Sequence, residues 1–294
     1  MKPAPFEYYA PKSIKQSLAH LSEHGYDAKV LAGGQSLIPM MNFRLAEPSV
    51  LIDLNNIPEL AFILPNENGG LRIGTMTRHS QVEKEQLVAK RAPLLFEAMP
   101  QIATTQIRSR GTIGGSIAHA DPSAELVAVS VALGARFKIK SLTGERWIPA
   151  KDFFLGMFAT SLEPDEILAE IELPSLPPRT GWALEEIARR PHDFAMVGVA
   201  VLVTLSDDNL CQEARLVYLS VGDGPVEAKQ AEQVLRGESP NPDKLREASE
   251  TAASVDIDPG SDIHASANFR RHLAKILTQR ALAKAFERAR SVHN

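Results

Sequence analysis

The N-terminal part of the chain alternates short apolar runs with one amphipathic segment. In residues 13–25, apolar side chains recur at helical spacing, at Ile14, Leu18 and Leu21. This spacing predicts a surface helix that Ser13 caps and a glycine ends. The runs AKVLAGG and SVLIDLNNI follow, and each is typical of a buried strand. We therefore expect a small α/β unit here.

Between residues 60 and 173 the pattern becomes mixed. Three strand candidates, GGLRIGTM, ARFKIKSL and EILAEIEL, are separated by helical stretches, which is typical of an α+β arrangement rather than of repeated βαβ units. The proline-rich segment LPSLPPRTG then predicts a linker. We place a boundary in it, between a domain of residues 1–177, divided at about residue 57, and a domain of residues 178–294.

Two apolar runs and one helical pattern follow the linker. The runs are FAMVGVAVLVTL and EARLVYLSVG. The first is the longest apolar run in the chain, but it is well short of the ~20 residues that a membrane-spanning helix needs, so it predicts a buried strand. In NFRRHLAKILTQRALAKAFERA, apolar residues recur at helical spacing with basic residues between them, which predicts a C-terminal helix.

Composition and charge narrow the class of protein. The chain has 294 residues, of which 44% are hydrophobic and 23% charged, as in a globular protein of about two domains. A net charge of −4 argues against nucleic acid or an anionic membrane as a partner. Because Cys211 is the single cysteine, we expect no disulfide and no zinc or iron–sulfur site. The N-terminus lacks an apolar leader, which favours a cytoplasmic protein.

Two segments with adjacent glycines are candidate ligand loops. VLAGGQS alone favours a tight turn with positive φ, because Gly-Gly is a common turn signal, and a backbone loop that binds phosphate is the alternative. In RGTIGGSIAHADPSAELV, Thr112 and Ser116 flank a second Gly-Gly pair. Two such loops in one domain favour a cradle for a pyrophosphate. The motifs GxxxxGK[ST] and GxGxxG are absent, which argues against a P-loop enzyme and a Rossmann dinucleotide site.

Other chemically suggestive residues have simpler interpretations. His79, His119 and His192 are far apart in the sequence and lack metal-ligand spacing, so structural or surface roles are expected. Arg108 and Arg110 are expected to be solvated, with a contact to phosphate or to a partner subunit as the alternative. Core packing is expected for Met40 and Met41, and a helix start for Asp121–Pro122.

Five segments, taken in their order along the chain, together resemble a known family over nearly the whole sequence. They are AGGQSLIPMMNFRLAEPSVLIDL, RSRGTIGGSIAHADPSAE, LEPDEILAEIELP, ARRPHDFAMVGVAV and DIHASANFRRHLAKILTQRAL. Together they resemble the FAD-binding medium subunit of the molybdenum hydroxylases, the family of carbon monoxide dehydrogenase, quinoline oxidoreductase and xanthine dehydrogenase. The resemblance implies an α+β protein. A two-subdomain FAD-binding domain of the vanillyl-alcohol-oxidase type would precede a C-terminal antiparallel sheet with a helical bundle.

The resemblance also implies which residues bind FAD. Asp121 matches a position near the flavin and ribityl region, Leu162 a position whose backbone approaches the isoalloxazine, and Phe194 an aromatic position beside the ring. The pyrophosphate would lie between the two glycine loops. The residues implied there are Ala32, Gly33, Gly34, Gln35 and Ser36 in the first loop and Thr112, Ile113, Gly114, Gly115 and Ser116 in the second.

Three residues depart from the pattern of the family. Gln35 replaces a frequent histidine, and its amide still donates a hydrogen bond to phosphate. Phe194 replaces a frequent tyrosine, so it keeps an apolar face without the hydroxyl group. His192 replaces a frequent glycine, which changes the flap over the ring and with it the access of an electron acceptor.

By resemblance, the chain is the FAD-carrying electron-transfer subunit of a heterotrimer. FAD supplies the redox centre, so we expect neither a catalytic side chain nor a metal site in this chain. Electrons would come from two-iron two-sulfur clusters on a small subunit, fed by a molybdenum cofactor on a large subunit, and leave to NAD, oxygen or a quinone. A dimer of heterotrimers is expected. The alternatives are a self-contained FAD-dependent oxidase or reductase with its own substrate pocket, and a flavin-free scaffold.

Overall fold

The computed structural model of the protein describes residues 2–291, in which helices and strands mix along the chain. The strands are β1 (Glu7–Tyr9), β2 (Ala28–Leu31), β3 (Val50–Asp53), β4 (Ile63–Pro65), β5 (Leu71–Gly74), β6 (Arg136–Lys140), β7 (Glu145–Pro149), β8 (Phe154–Gly156), β9 (Ala159–Thr160), β10 (Ile167–Leu173), β11 (Thr180–Ala188), β12 (Ala195–Leu205), β13 (Cys211–Leu219) and β14 (Val226–Glu227). The α-helices are α1 (Ile14–His24), α2 (Leu37–Asn42), α3 (His79–Val82), α4 (Gln86–Arg91), α5 (Pro93–Ala98), α6 (Thr105–Arg110), α7 (Ile113–His119), α8 (Glu125–Ala132), α9 (Ala150–Phe153), α10 (Lys229–Leu235), α11 (Pro242–Thr251) and α12 (Ala267–Ser291). The expected α+β class is confirmed.

The N-terminal unit is a three-stranded parallel sheet in the order β1-β3-β2, with α1 packed against β3. Ser13 caps α1 as predicted, because its hydroxyl accepts a hydrogen bond from the backbone N–H of Gln16 at 3.3 Å. Leu18 and Leu21 of α1 and Ile52 of β3 are buried and form the core of the unit. Sequence analysis missed β1, since its three mostly exposed residues show no apolar pattern.

The central unit is a five-stranded antiparallel sheet in the order β4-β5-β10-β6-β7. The three predicted strands are confirmed as its central strands, β5, β10 and β6. The edge strands β4 and β7 were missed because their residues are partly or fully exposed and do not alternate. After Glu125, every residue of helix α8 is buried, because the helix contacts α5, α7 and the C-terminal sheet.

The C-terminal unit is a four-stranded antiparallel sheet in the order β11-β12-β13-β14, covered by α10 and α12, and α11 packs on these two helices. The longest apolar run forms β12 as predicted, and alternate residues face opposite sides of the sheet. Val199 and Val201 pack in the core formed with α12, whereas Ala200 and Leu202 face the central unit. The predicted C-terminal helix is confirmed as α12, and Leu282 in its middle is fully buried.

The linker segment lies between β10 and β11 and contains neither helix nor strand from Pro174 to Arg179. The central and C-terminal units nevertheless share one apolar core, which includes Leu126 of α8, Leu184 of β11 and Leu202 of β12. A domain boundary between residues 177 and 178 stays a prediction. Within residues 2–291, no helix is both long and apolar enough to cross a membrane.

Candidate functional site

The first glycine loop packs against the backbone that leads into the second loop. We call residues 32–36, between β2 and α2, the first loop, and residues 112–116, at the start of α7, the second loop. A β-carbon built on Gly33 would lie 2.4 Å from the carbonyl oxygen of Arg110, and one built on Gly115 would lie 3.4 Å from the β-carbon of Ala32. The close approach at Gly33 therefore requires glycine.

The first loop offers a run of free backbone donors. The backbone N–H groups of residues 33–37 donate to no acceptor within residues 2–291. Gly34 has a φ of +74°, in the left-handed region that favours glycine. A left-handed residue among ordinary ones turns consecutive N–H groups toward one side and makes an anion-binding concavity. The carbonyl of Gly33 accepts a hydrogen bond from the Gln35 amide at 3.1 Å, which braces the loop.

The second loop differs, because its own fold uses its backbone donors. Ile113, Gly114 and Gly115 donate their N–H groups within the protein. Their acceptors are the carbonyl of Thr77 at 3.0 Å, the carbonyl of Thr75 at 2.9 Å and the hydroxyl of Thr112 at 3.0 Å, respectively. The Ser116 hydroxyl makes no hydrogen bond within residues 2–291 and stays available for a ligand. The second loop therefore contributes close packing and a hydroxyl rather than a row of amides.

Helix α7 joins the second loop to the residues implied for the flavin ring. Its seven residues span about 10 Å, at 1.5 Å per residue. At its far end Ala120 is left-handed, with a φ of +51°, and its carbonyl accepts a hydrogen bond from the Phe158 N–H at 3.1 Å. Asp121 follows, half-buried, and its carboxylate accepts a hydrogen bond from the N–H of Ser123 at 2.8 Å.

The remaining flavin-face candidates lie on two hairpins. Leu162 follows β9; it is half-buried and packs against the core of the central unit. Phe194 lies in the connection between β11 and β12, where 68% of it is exposed. The N–H of Ser220, at the end of β13, donates to the carbonyl of Pro122 at 2.9 Å. This bond holds the end of the C-terminal sheet beside the segment that carries Asp121.

Two family models match the chain. Residues 4–176 match the FAD binding domain in molybdopterin dehydrogenase, and residues 182–285 match the CO dehydrogenase flavoprotein C-terminal domain. The chain belongs to this flavoprotein family. The resemblance stated from the sequence is confirmed, and so is the presence of the family's FAD-binding domain.

Curated relatives match over almost their entire length. The flavoprotein is 40% identical over 289 residues to caffeine dehydrogenase subunit beta of Pseudomonas sp. (strain CBB1), covering 98% of this chain and 97% of the relative. It is 38% identical over 288 residues to the carbon monoxide dehydrogenase medium chain of Hydrogenophaga pseudoflava, covering 98% of this chain and 99% of the relative. These relatives are subunits of dehydrogenases, which confirms that the flavoprotein is an oxidoreductase subunit.

Solved structures of the family share the fold. The carbon monoxide dehydrogenase of Hydrogenophaga pseudoflava that lacks the Mo-pyranopterin moiety matches with a TM-score of 0.94 and 39% identity, over 98% of this chain and 99% of that chain. Quinoline 2-oxidoreductase of Pseudomonas putida 86 matches with a TM-score of 0.93 and 37% identity, over 98% of this chain and 99% of that chain. These matches confirm the expected architecture of the flavoprotein.

The histidines and arginines singled out in the sequence have different environments. His79 is buried beneath the second loop, and burial lowers its pKa to about 4. His119 is half-buried, and its ring lies against that of Phe158 with 5.0 Å between centroids. His192 is exposed and left-handed, with a φ of +65°.

The two arginines differ from each other. Arg108 is not solvated as expected: it is buried and forms an ion pair with Glu83. Arg110 is exposed.

Two further outcomes concern the segments that follow the loops. Met41 is buried in the core, and Met40 is half-buried, so packing explains both. The prediction that Asp121–Pro122 starts a helix was wrong, because α8 begins at Glu125. The Asp121 side chain instead stabilises the turn that precedes the helix.

Sequence analysis missed a pair of half-buried carboxyl groups, those of Glu125 and Glu186. Glu125 begins α8, and Glu186 follows Leu184 by two residues on the face of β11 that packs against the central unit. Burial raises the pKa of Glu125 to about 8, with a further contribution from Glu186. Burial also raises the pKa of Glu186 to about 7. No sequence signal indicates the pair, since its members lie on separate elements far apart in the chain.

Proposed function

We propose that this chain is the FAD-carrying electron-transfer subunit of a molybdenum hydroxylase complex, and that it passes electrons from an iron–sulfur subunit to an external acceptor. The observation that carries the proposal is the first loop. The backbone N–H groups of residues 33–36, and that of Leu37 at the start of α2, have no acceptor in the described chain. Unpaired donors of this kind are stabilised by an anion, and a pyrophosphate supplies several acceptor oxygens in one place.

The residues of the site fit the cofactor. The first loop would bind the pyrophosphate through its N–H groups, and the Ser116 hydroxyl would add a donor from the second loop. Asp121 and Leu162 would lie along the ribityl chain and the ring, and Phe194 would cover the ring from the C-terminal unit. The proposed set is Ala32, Gly33, Gly34, Gln35, Ser36, Thr112, Ile113, Gly114, Gly115, Ser116, Asp121, Leu162 and Phe194.

The chain itself would act by binding and orientation. Bound FAD would supply a redox centre that accepts and donates electrons. The two loops would fix the phosphate end, and α7 would set the distance from that end to the flavin face. Because 68% of Phe194 is exposed, its side chain would be available to shield an apolar ring from water. No side chain is required to transfer a proton in the electron-transfer step.

The partners form part of the same proposal. Relatives of this chain are named as a medium chain of carbon monoxide dehydrogenase and as subunits of caffeine and 6-hydroxypseudooxynicotine dehydrogenases. We propose a large subunit with a molybdenum cofactor, a small subunit with two-iron two-sulfur clusters, and a dimer of such heterotrimers in the cytoplasm. The substrate would then be converted on the large subunit rather than on this chain.

One purification tests the proposal. The untagged protein is purified from its native host, and its absorbance spectrum, metal content, subunit pattern and mass in solution are measured. Flavin bands with iron–sulfur absorption, molybdenum and two copurifying chains would support the proposal, and the mass would test the dimer of heterotrimers. Flavin on a single chain that turns over a substrate would favour the self-contained flavoenzyme instead. Protein without flavin would leave the first loop as an ordinary turn.

A further inference from the structure

A set of hydrogen bonds lies behind the two glycine loops and joins them. The backbone of Arg78, just before α3, forms an antiparallel bridge with Thr112 of the second loop. The Arg78 guanidinium donates to the carbonyl of Arg110 and, at 2.5 Å, to the side-chain carbonyl of Asn55. The same Arg110 carbonyl packs against Gly33. Arg78 therefore braces the contact between the first loop and the backbone that leads into the second loop.

Asn55 extends this set of bonds to the first loop. Its side-chain amide donates to the carbonyl of Ala32 at 2.8 Å and to the carboxylate of Asp53 at 2.5 Å. The other oxygen of Asp53 accepts a hydrogen bond from the Tyr8 hydroxyl at 2.5 Å. Arg78 and Asn55 thus connect the carbonyl of Ala32, in the first loop, with the carbonyl of Arg110, two residues before the second loop.

The charge of Arg78 has no carboxylate partner. Within residues 2–291, neither Arg78 nor Arg110 forms an ion pair, whereas Arg108 nearby is paired with Glu83. Burial lowers the pKa of Arg78, and the neighbouring Arg110 lowers it further, but an arginine remains protonated in such a site. The Asp53 carboxylate acts on Arg78 from the far side of Asn55 without pairing with it. The two arginines therefore leave an excess of positive charge beside the loops. A partly buried guanidinium is costly when it has no anionic partner.

We propose that Arg78 is a positioning residue for the cofactor: it sets the spacing of the two glycine loops and, together with Arg110, supplies the positive charge that a diphosphate requires. This inference rests on the proposed function, since it concerns the same site. The ligand chemistry it predicts is a diphosphate ester, so ADP and FAD gain from Arg78 and riboflavin does not.

The test compares ligands with and without the diphosphate. The full chain, freed of flavin, is titrated with FAD, ADP and riboflavin at low and at high salt. We expect Arg78→Gln to weaken FAD and ADP about 10- to 100-fold, as for loss of a charge at several ångströms, and to leave riboflavin binding unchanged. The salt dependence of ADP binding should also fall, because a charge pair is screened by salt. Arg78→Lys should recover part of the loss.

Two further variants separate charge from folding. Arg110→Gln removes an exposed charge outside the hydrogen-bonded set, and we expect it to weaken ADP severalfold without lowering the melting temperature. Arg236→Gln, an exposed arginine of the C-terminal unit, is the matched control and should change nothing. Equal loss of ADP and riboflavin binding in Arg78→Gln, or unchanged ADP binding in Arg78→Gln, would overturn the inference. A wild-type chain that binds neither FAD nor ADP would instead overturn the proposed function.

Discussion

The α-carbon of Gly33 lies against the carbonyl oxygen of Arg110, so closely that a β-carbon on Gly33 would be 2.4 Å from that oxygen. Real β-carbons do not approach backbone oxygen so closely, and neither partner is the end of a flexible side chain. The first loop is therefore held against the backbone two residues before the second loop, and its free N–H groups start at this point.

Gly33→Ala should separate the two loops. We expect the flavin content of the purified protein to fall at least about tenfold, because the added methyl group needs about 1 Å of backbone movement that misaligns the N–H groups. The measurement is the ratio of flavin to protein after gel filtration. Gly144→Ala is the control, since a β-carbon on Gly144 has no atom within 4 Å. Normal flavin content in Gly33→Ala would contradict the cradle.

Gly181→Ala should destabilise the C-terminal unit without acting on the loops. A β-carbon on Gly181 of β11 would lie 1.8 Å from the carbonyl oxygen of Ala285 in α12, so the helix must move away from the sheet. Overpacking of this kind costs about 1–3 kcal/mol or more of unfolding free energy. Urea unfolding measures the loss of free energy. Gly260→Ala is the control, because a β-carbon on Gly260 has no atom within 4 Å. An unchanged midpoint would show that α12 does not pack on β11 this closely.

Phe194→Ala should change the flavin environment while leaving FAD bound. Aromatic stacking on the isoalloxazine ring quenches its fluorescence, so we expect stronger flavin fluorescence and a shifted visible band at nearly normal flavin content. Tyr26→Ala removes an aromatic side chain that is 87% exposed, in the N-terminal unit, and serves as the control. If both variants have the fluorescence of the wild type, Phe194 does not lie beside the ring.

The sequence predicts the elements of the fold better than it predicts the site. Buried strands such as β12 show up as apolar runs because both faces are covered. Edge strands such as β7 carry no such signal. The sequence shows both glycine loops as motifs, but it does not show that only the second loop uses its N–H groups within the protein. Gly114, for example, donates to the carbonyl of Thr75, which lies 39 positions away and comes near only in the folded chain.

The same limit applies to the residues behind the site. Arg78 and Asn55 look like ordinary surface residues in the sequence, since their role depends on carbonyl groups from two other segments. Arg108 and Arg110 are alike in sequence, yet one is buried against Glu83 and the other is exposed. Long-range packing decides such differences, and no local spacing encodes them.

The stability of the protein should fall as the pH rises through neutrality, because of Glu125 and Glu186. Their pKa values are raised to about 8 and about 7 in the folded protein. A carboxyl group whose pKa is raised by folding favours the folded state at low pH. That contribution is complete below about pH 4 and is lost as the pH passes through the folded pKa. We expect the unfolding free energy to drop by a few kcal/mol between about pH 5 and pH 9.

Glu125→Gln tests this assignment, because an amide keeps the shape of the side chain and has no proton to lose. The titratable groups that face Glu125 are Glu186 on β11 and Asp121 in the preceding segment, and both raise its pKa. The variant should therefore lose much of the decline and overtake the wild type above about pH 8. Glu232, whose pKa is also raised to about 7, contributes equally to both proteins and cancels in the comparison.

Glu185→Gln is the control for this prediction. It removes a neighbouring carboxylate that pairs with Lys284 at 3.5 Å, and it should leave the decline of the unfolding free energy with pH unchanged. Parallel declines in Glu125→Gln and the wild type would show that the decline arises from other groups.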